Sequence, residues 1–99
     1  MTINKTQESG IITLALAGRL DASTAPQLQD CLVPAFDEAD EVILEFSKLT
    51  YVSSAGLRVL LVGLKTATAK NAEFVLTGVS EEIMEILDMT GFSDMLTIK

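Results

Sequence analysis

The 99-residue sequence has no histidine and no tryptophan, a single cysteine, two prolines, and only 7 basic residues against 14 acidic ones. Most of these shortages exclude something. Without histidine there is no Ser-His-Asp triad, the commonest general base is missing, and so is the commonest metal ligand. The lone Cys31 forbids an internal disulfide and suits a reducing compartment. Among Leu28, Leu32 and Val33 it reads as a small core residue. A formal charge of −7 disfavours nucleic acid phosphates and anionic membranes as partners. No apolar run approaches the ~20 residues of a membrane helix. Met1 to Lys5 lacks the long apolar segment of a secretory signal, so a cytoplasmic protein with no membrane insertion is expected.

What remains is 48% hydrophobic, enough for one modest core and one domain over residues 1–99. Ile3 to Gln7 and Ile11 to Ala17 read as strands joined by a turn at Glu8-Ser9-Gly10. A first helix is expected from Thr24, with Gln27 completing a capping box, Pro26 in the first turn, and Leu28, Cys31 and Leu32 as its buried stripe. Pro34 should end or kink it. Val42 to Phe46 is nearly unbroken in apolar character, which suggests a central strand covered on both faces. Leu57, Leu60, Leu61, Leu64 and Ala67 repeat at helical spacing, and Phe74-Val75-Leu76 follows as a strand. Ser80 is placed to cap a third helix with Ile83, Met84, Ile86 and Leu87 inward and Gly91 after its end. Met95, Leu96 and Ile98 supply a last short strand. The sum is an α/β fold, a small mixed sheet of four to five strands flanked by helices.

The candidate chemistry gathers at Thr50-Tyr51-Val52-Ser53-Ser54-Ala55-Gly56-Leu57-Arg58, between a strand and a helix. A serine there either caps the helix or carries a phosphate that the helix N-terminus tolerates. Gly56 is a poor helix former and needs another reason to be present, such as close approach of a second backbone or of a partner. Serine hydrolase chemistry is excluded by the missing Gly-x-Ser-x-Gly elbow and the missing histidine. Asp21 is either a turn residue that helps the first helix start, or an acidic group beside the serines. In the second role it orients a hydroxyl or helps position a metal ion carried by a partner. Asp37, Glu38, Asp40 and Glu41 read as a solvated loop, and Glu81, Glu85 and Asp88 as a solvated helix face. Neither cluster has the ligand company of a zinc site or the spacing of an EF-hand. Met84, Met89 and Met95 read as fillers of core gaps.

Three stretches together resemble the STAS domain of bacterial anti-sigma factor antagonists. They are Gly18-Arg19-Leu20-Asp21-Ala22 with Thr24 and Pro26, the strand Val42 to Phe46 leading to Ser47, and Ser54-Ala55-Gly56-Leu57. The family's usual string in the last stretch is Asp-Ser-Ser-Gly-Leu or Asp-Ser-Thr-Gly-Leu, and its regulatory serine falls on Ser54. This chain departs from that string in two places. Ser53 replaces the usual Asp and adds a competing hydroxyl, and Ala55 replaces the usual Ser or Thr. The register selects Ser54 as the phosphoacceptor. The resemblance implies a non-enzymatic STAS domain without cofactor or metal. It would act as a phosphorylation-controlled partner switch that binds an anti-sigma factor, often a serine kinase, and releases it once Ser54 is phosphorylated. A PP2C-type phosphatase would reset it. Asp21 would assist at the site, with Ser53, Gly56, Arg58 and Thr24 nearby. Two alternatives are a STAS subunit of a transporter or other membrane-associated complex, and a small-ligand or nucleotide sensor.

Overall fold

A computed structural model describes all 99 residues. Five strands and four helices follow one another as β1 (Thr2–Glu8), β2 (Ile11–Leu20), α1 (Ala25–Glu38), β3 (Glu41–Val52), α2 (Ser54–Lys70), β4 (Glu73–Thr77), α3 (Glu81–Met89), α4 (Phe92–Met95) and β5 (Thr97–Ile98). The five strands form one sheet in the order β1-β2-β3-β4-β5, antiparallel between β1 and β2 and parallel thereafter. The opening hairpin is made by Ser9 and Gly10, both at positive φ, the geometry a tight two-residue hairpin turn requires. No helix is long and apolar enough to cross a membrane.

Burial alternates strictly from Ile11 to Ala17 of β2 and from Glu41 to Phe46 of β3. Ile12, Leu14 and Leu16 are buried, as are Val42, Leu44 and Phe46, while the residues between them are half-buried. Together with Leu28, Leu32 and Phe36 of α1 and Leu57 and Leu60 of α2, these residues join one contiguous core on one side of the sheet. Val75 of β4 is buried too but lies outside that core, on the opposite side. The expectation that β3 is covered on both faces is therefore corrected: the helices cover one face only. Half-buried Ile43, set between buried Val42 and Leu44, makes the strand read as a two-sided apolar run.

Other expectations also shift. β2 runs on to Leu20 and β3 to Val52, both past their expected ends. Two irregularities in the β2–β3 ladder, between Ala15 and Ala17 and between Gly18 and Arg19, absorb the extra length. Pro34 does not end α1, which continues to Glu38. Its ring is exposed, and burial of Leu32, Ala35 and Phe36 holds the helix across the lost hydrogen bond. Cys31 is exposed, about a quarter turn away from the buried stripe. Met89 and Met95 are 85% and 47% exposed and fill no core gap, and Met84 is half-buried. Met89 ends α3 on the side away from Ile83 and Leu87. Of the residues expected in the last strand, Met95 ends the short α4 and Leu96 caps it, leaving only Thr97–Ile98 in β5.

Ser80 caps α3 by accepting a hydrogen bond from the Ile83 N–H at 3.3 Å, and Gly91 follows the helix at φ +80°. Asp37 and Glu38 are exposed at the end of α1, where they pair with Lys70 and Lys5. Because Pro34 removes one hydrogen bond from an exposed helical position, Pro34→Ala is expected to stabilise the fold by roughly 1 kcal/mol or more, read as a higher urea midpoint at unchanged slope.

Candidate functional site

The carboxyl ends of β2 and β3 lie side by side. From there one chain segment turns into α1 and the other into α2. Ser53 ties the two together: its N–H donates to the Leu20 carbonyl at 2.8 Å. Ser53 is the N-cap of α2, in extended conformation, and its hydroxyl accepts from the Gly56 N–H at 3.3 Å. The Leu57 N–H bonds the Ser53 carbonyl at 2.9 Å. The amides of Ser54 and Ala55, the remaining two of the first turn, have no partner within the chain.

The two serines thus occupy different positions. Ser53 is half-buried and engaged as a cap, whereas Ser54 is the first residue of the helix, exposed, with a hydroxyl bonded to nothing in the chain. Gly56 is buried. A Cβ there would lie 2.7 Å from Leu20 Cγ and 3.1 Å from the Leu20 carbonyl oxygen. Its presence is explained by the close approach of α2 to the end of β2. Arg58, four residues beyond Ser54 on the same helix face, is exposed and has no ion-pair partner. It lines a groove of about 510 Å³ between α1 and α2, together with Ala22, Pro26, Ala55 and Val59.

The loop from Asp21 to Thr24 is held by its own side chains. Asp21 Oδ1 accepts from the Ser23 hydroxyl at 2.6 Å and from the N–H groups of Ser23 and Thr24 at 3.0 and 3.2 Å. The Thr24 hydroxyl donates to the Arg19 carbonyl at 2.8 Å and accepts from the Asp21 N–H at 2.9 Å. Thr24 precedes α1 without capping it, and Gln27 reaches the Met1 carbonyl at 3.1 Å. The expected capping box is absent because Thr24 serves the loop. No hydrogen bond joins Asp21 to either serine. Its carboxyl sits below the ordinary value of 3.8, chiefly because the Ser23 hydroxyl donates to it. Desolvation opposes this, and the backbone N–H groups of Ser23 and Thr24 and the Thr24 hydroxyl add to it.

The loop from Arg19 to Thr24 is expected to form part of this surface, but nothing in the sequence assigns a contact to Arg19 or Ser23 within it, or any role to Tyr51. Ser23 anchors Asp21. Arg19 stacks over the Tyr51 ring, 4.2 Å from its centroid, and approaches Asp21 Oδ2 at 3.8 Å. Tyr51 is 38% exposed at the end of β3. The signal lay in the register, since Arg19 pairs with Tyr51 across the β2–β3 ladder, and no spacing in the linear sequence displays that.

The STAS domain profile matches residues 2–99. The anti-sigma-B factor antagonist of Listeria monocytogenes serovar 1/2a is 30% identical over 96 residues, which is 96% of this chain and 84% of that protein. Among solved structures, the Bacillus cell fate determinant SpoIIAA in its phosphorylated form superposes with a TM-score of 0.78 at 16% identity, covering 99% of this chain and 91% of that one. A sulfate transporter family protein from Wolinella succinogenes superposes with a TM-score of 0.81 at 20% identity, covering 93% and 75% of the two chains.

Two expectations follow. Ser53→Ala removes a helix cap and should cost about 1 kcal/mol, whereas Ser54→Ala should change stability by less than about 0.5 kcal/mol, both read by urea denaturation. A carboxylate held below its ordinary value contributes stability that is present above pH 3.8 and is lost as the pH falls through the lowered folded value. Asp21→Asn should therefore flatten the acid limb of the stability profile below that pH and leave its neutral limb unchanged in shape.

Proposed function

The chain belongs to the STAS domain family, and from that premise we propose that it is an anti-sigma factor antagonist switched by phosphorylation of Ser54. In this reading the unphosphorylated chain binds an anti-sigma factor with serine kinase activity, in the cytoplasm, and thereby frees a sigma factor. The kinase phosphorylates Ser54 and the complex separates. A PP2C-type phosphatase restores the binding form. The chain itself does no catalysis.

The observation that carries the proposal is the contrast between the two serines. Ser53 is committed to capping, while Ser54 presents an unbonded, exposed hydroxyl beside two unpartnered amides. A phosphate on Ser54 adds about −1.5 to −2 charges. The N-terminus of α2 accepts it, since its first turn holds no acidic residue and Arg58 is one turn away. The fold is therefore spared. Within a docked interface the same charge has to shed water with no partner prepared for it, which opposes binding. Around Ser54 the rigid Asp21–Thr24 loop, the Arg19–Tyr51 stack and the groove beside Arg58 supply the remaining docking surface. Exposed Tyr and Arg side chains are the types that most often anchor such contacts. A transporter subunit or a ligand sensor with the same fold has no need of an unbonded serine in this position.

Incubation with the cognate kinase and ATP should add one phosphate, located on Ser54 by mass spectrometry. Ser54→Ala should abolish the modification, and Ser53→Ala should keep it. Ser54→Asp should weaken kinase binding by about tenfold or more. Phosphate found on Ser53, or a Ser54→Asp chain that binds as tightly as wild type, would remove this function from consideration.

A further inference from the structure

The solvent face of α3 combines negative charge with exposed apolar side chains. Between Lys70 and Lys99 the chain contains no basic residue, and none of the carboxylates in that stretch enters an ion pair. The exposed residues of α3 are Glu81, Glu82, Glu85, Asp88 and Met89. At 100° per residue they fall within an arc of about 120°, turned away from the buried Ile83 and Leu87. This pattern works against the helix. Glu81 and Glu82 suit its first turn, but Glu85 stands four and three residues from them and three from Asp88, spacings at which like charges repel. Asp88 lies near the carboxyl end, where the last turn holds no basic residue and the helix dipole disfavours an anion. Met89 closes this face and is almost fully exposed. The single turn of α4, packed against α3, adds exposed Met95 with Asp94 beside it. Apart from Tyr51, these two methionines are the large apolar side chains that the protein exposes. Solvation accounts for carboxylates on a helix, but not for methionines set among them.

We infer that the solvent face of α3, with Met89 and Met95 at its carboxyl end, docks a basic amphipathic helix of a partner protein. Charge selects the occupant. Lys or Arg side chains one turn apart on such a helix repeat at about 5.4 Å, the spacing of Glu81, Glu85 and Asp88 along α3. Paired, they relieve the repulsion that the free helix carries. The apolar side of the partner helix rests on Met89 and Met95, whose unbranched, polarizable side chains adapt to varied shapes. A second copy of the chain, a nucleic acid or an anionic membrane would meet this face with charge of the same sign. The surface is distinct from the one around Ser54. Ser54 stands at the carboxyl end of β3, to which β4 is parallel. From the carboxyl end of β4, α3 runs back for nine residues, about 13 Å, before α4 turns the chain into parallel β5. Met89 and Met95 therefore lie toward the amino ends of the strands. One partner can be held at each end, and occupation of the α3 face does not depend on phosphate at Ser54. The inference thus goes beyond the switch and stands without it.

The probe is a synthetic peptide of about 18 residues with Leu and Lys in amphipathic helical register. It is titrated into the full chain carrying 13C at the methyl groups of its 4 methionines, and binding is read by NMR. The Met89 and Met95 signals should move, while that of Met1, beside Gly18, should stay. A Kd of about 10 to 100 μM at low salt is expected, weakening as salt is added. Met89→Ser with Met95→Ser should weaken binding about tenfold or more, and so should replacing every Leu of the peptide by Ser. Glu85→Lys with Asp88→Lys should abolish it, and Ser54→Asp should leave it unchanged. Because the acidic face opposes helix formation, Asp88→Lys should also raise the Tm of the free chain. A peptide that leaves the Met89 and Met95 signals in place, or that binds the double Ser variant as tightly as the wild type, overturns the inference. An Asp88→Lys chain that melts lower overturns it as well, since the carboxylate would then serve the fold. Loss of the peptide in Ser54→Asp has the same consequence, because the peptide would then be reading the surface around Ser54.

Discussion

The close approach of α2 to the end of β2 is the constraint on which the site depends. Gly56 lets the first turn of the helix sit against Leu20 at a distance no side chain would permit, and the Ser53 N–H locks the same point to the Leu20 carbonyl. Once that contact is made, the other positions follow. Ser53 must face inward as a cap, Ser54 must emerge on the surface, and the Asp21–Thr24 loop must lie beside them. Helix capping by Ser53 contributes about 1 kcal/mol, and burial of Leu57 and Leu60 anchors the rest of the helix. The exposed hydroxyl is thus held on a rigid mount whose stability does not depend on that hydroxyl.

Much of this arrangement was legible in the residues, and the remainder was hidden for identifiable reasons. Helical spacing from Leu57 to Ala67 placed α2, and the dipeptide Ser9-Gly10 placed the hairpin. Only the family resemblance singled out Ser54; which of the two serines caps α2 was not legible, because a cap is defined by the dihedral angles of one residue and both are serines. Thr24 has the sequence signature of a cap but spends its hydroxyl on the Arg19 carbonyl, a choice made by the loop geometry. The open sheet face escaped notice because Ile11, Ile43 and Val75 are as apolar as the core residues beside them. Period-2 alternation in burial does not require alternation in hydrophobicity. Cys31 was misjudged for the converse reason: apolar neighbours one residue away on a helix point a hundred degrees elsewhere.

The molecule divides its electrostatics by face. Near Ser54 the free amides and Arg58 await negative charge. On the sheet face turned away from α1 and α2, Glu8, Glu41 and Glu73 share the row at the hairpin end, Glu45 lies midway and Lys48 beyond it. The two surfaces touch at Arg19, which belongs to the far end of the sheet face through its stack on Tyr51 and to the loop through Asp21. A charge placed near that loop therefore acts on a residue that both surfaces share.

The sheet has one further property. Its strands stand in space in the order in which they occur along the chain, from β1 to β5. No strand has to enter between two neighbours that are already paired, and each parallel strand arrives with its own helix just ahead of it. As the chain emerges during synthesis, each new segment finds its template complete and its place at the growing edge vacant. For the parallel pairs from β2 onward, which are distant in sequence, this ordering spares the chain any need to undo an earlier pairing before the next can form.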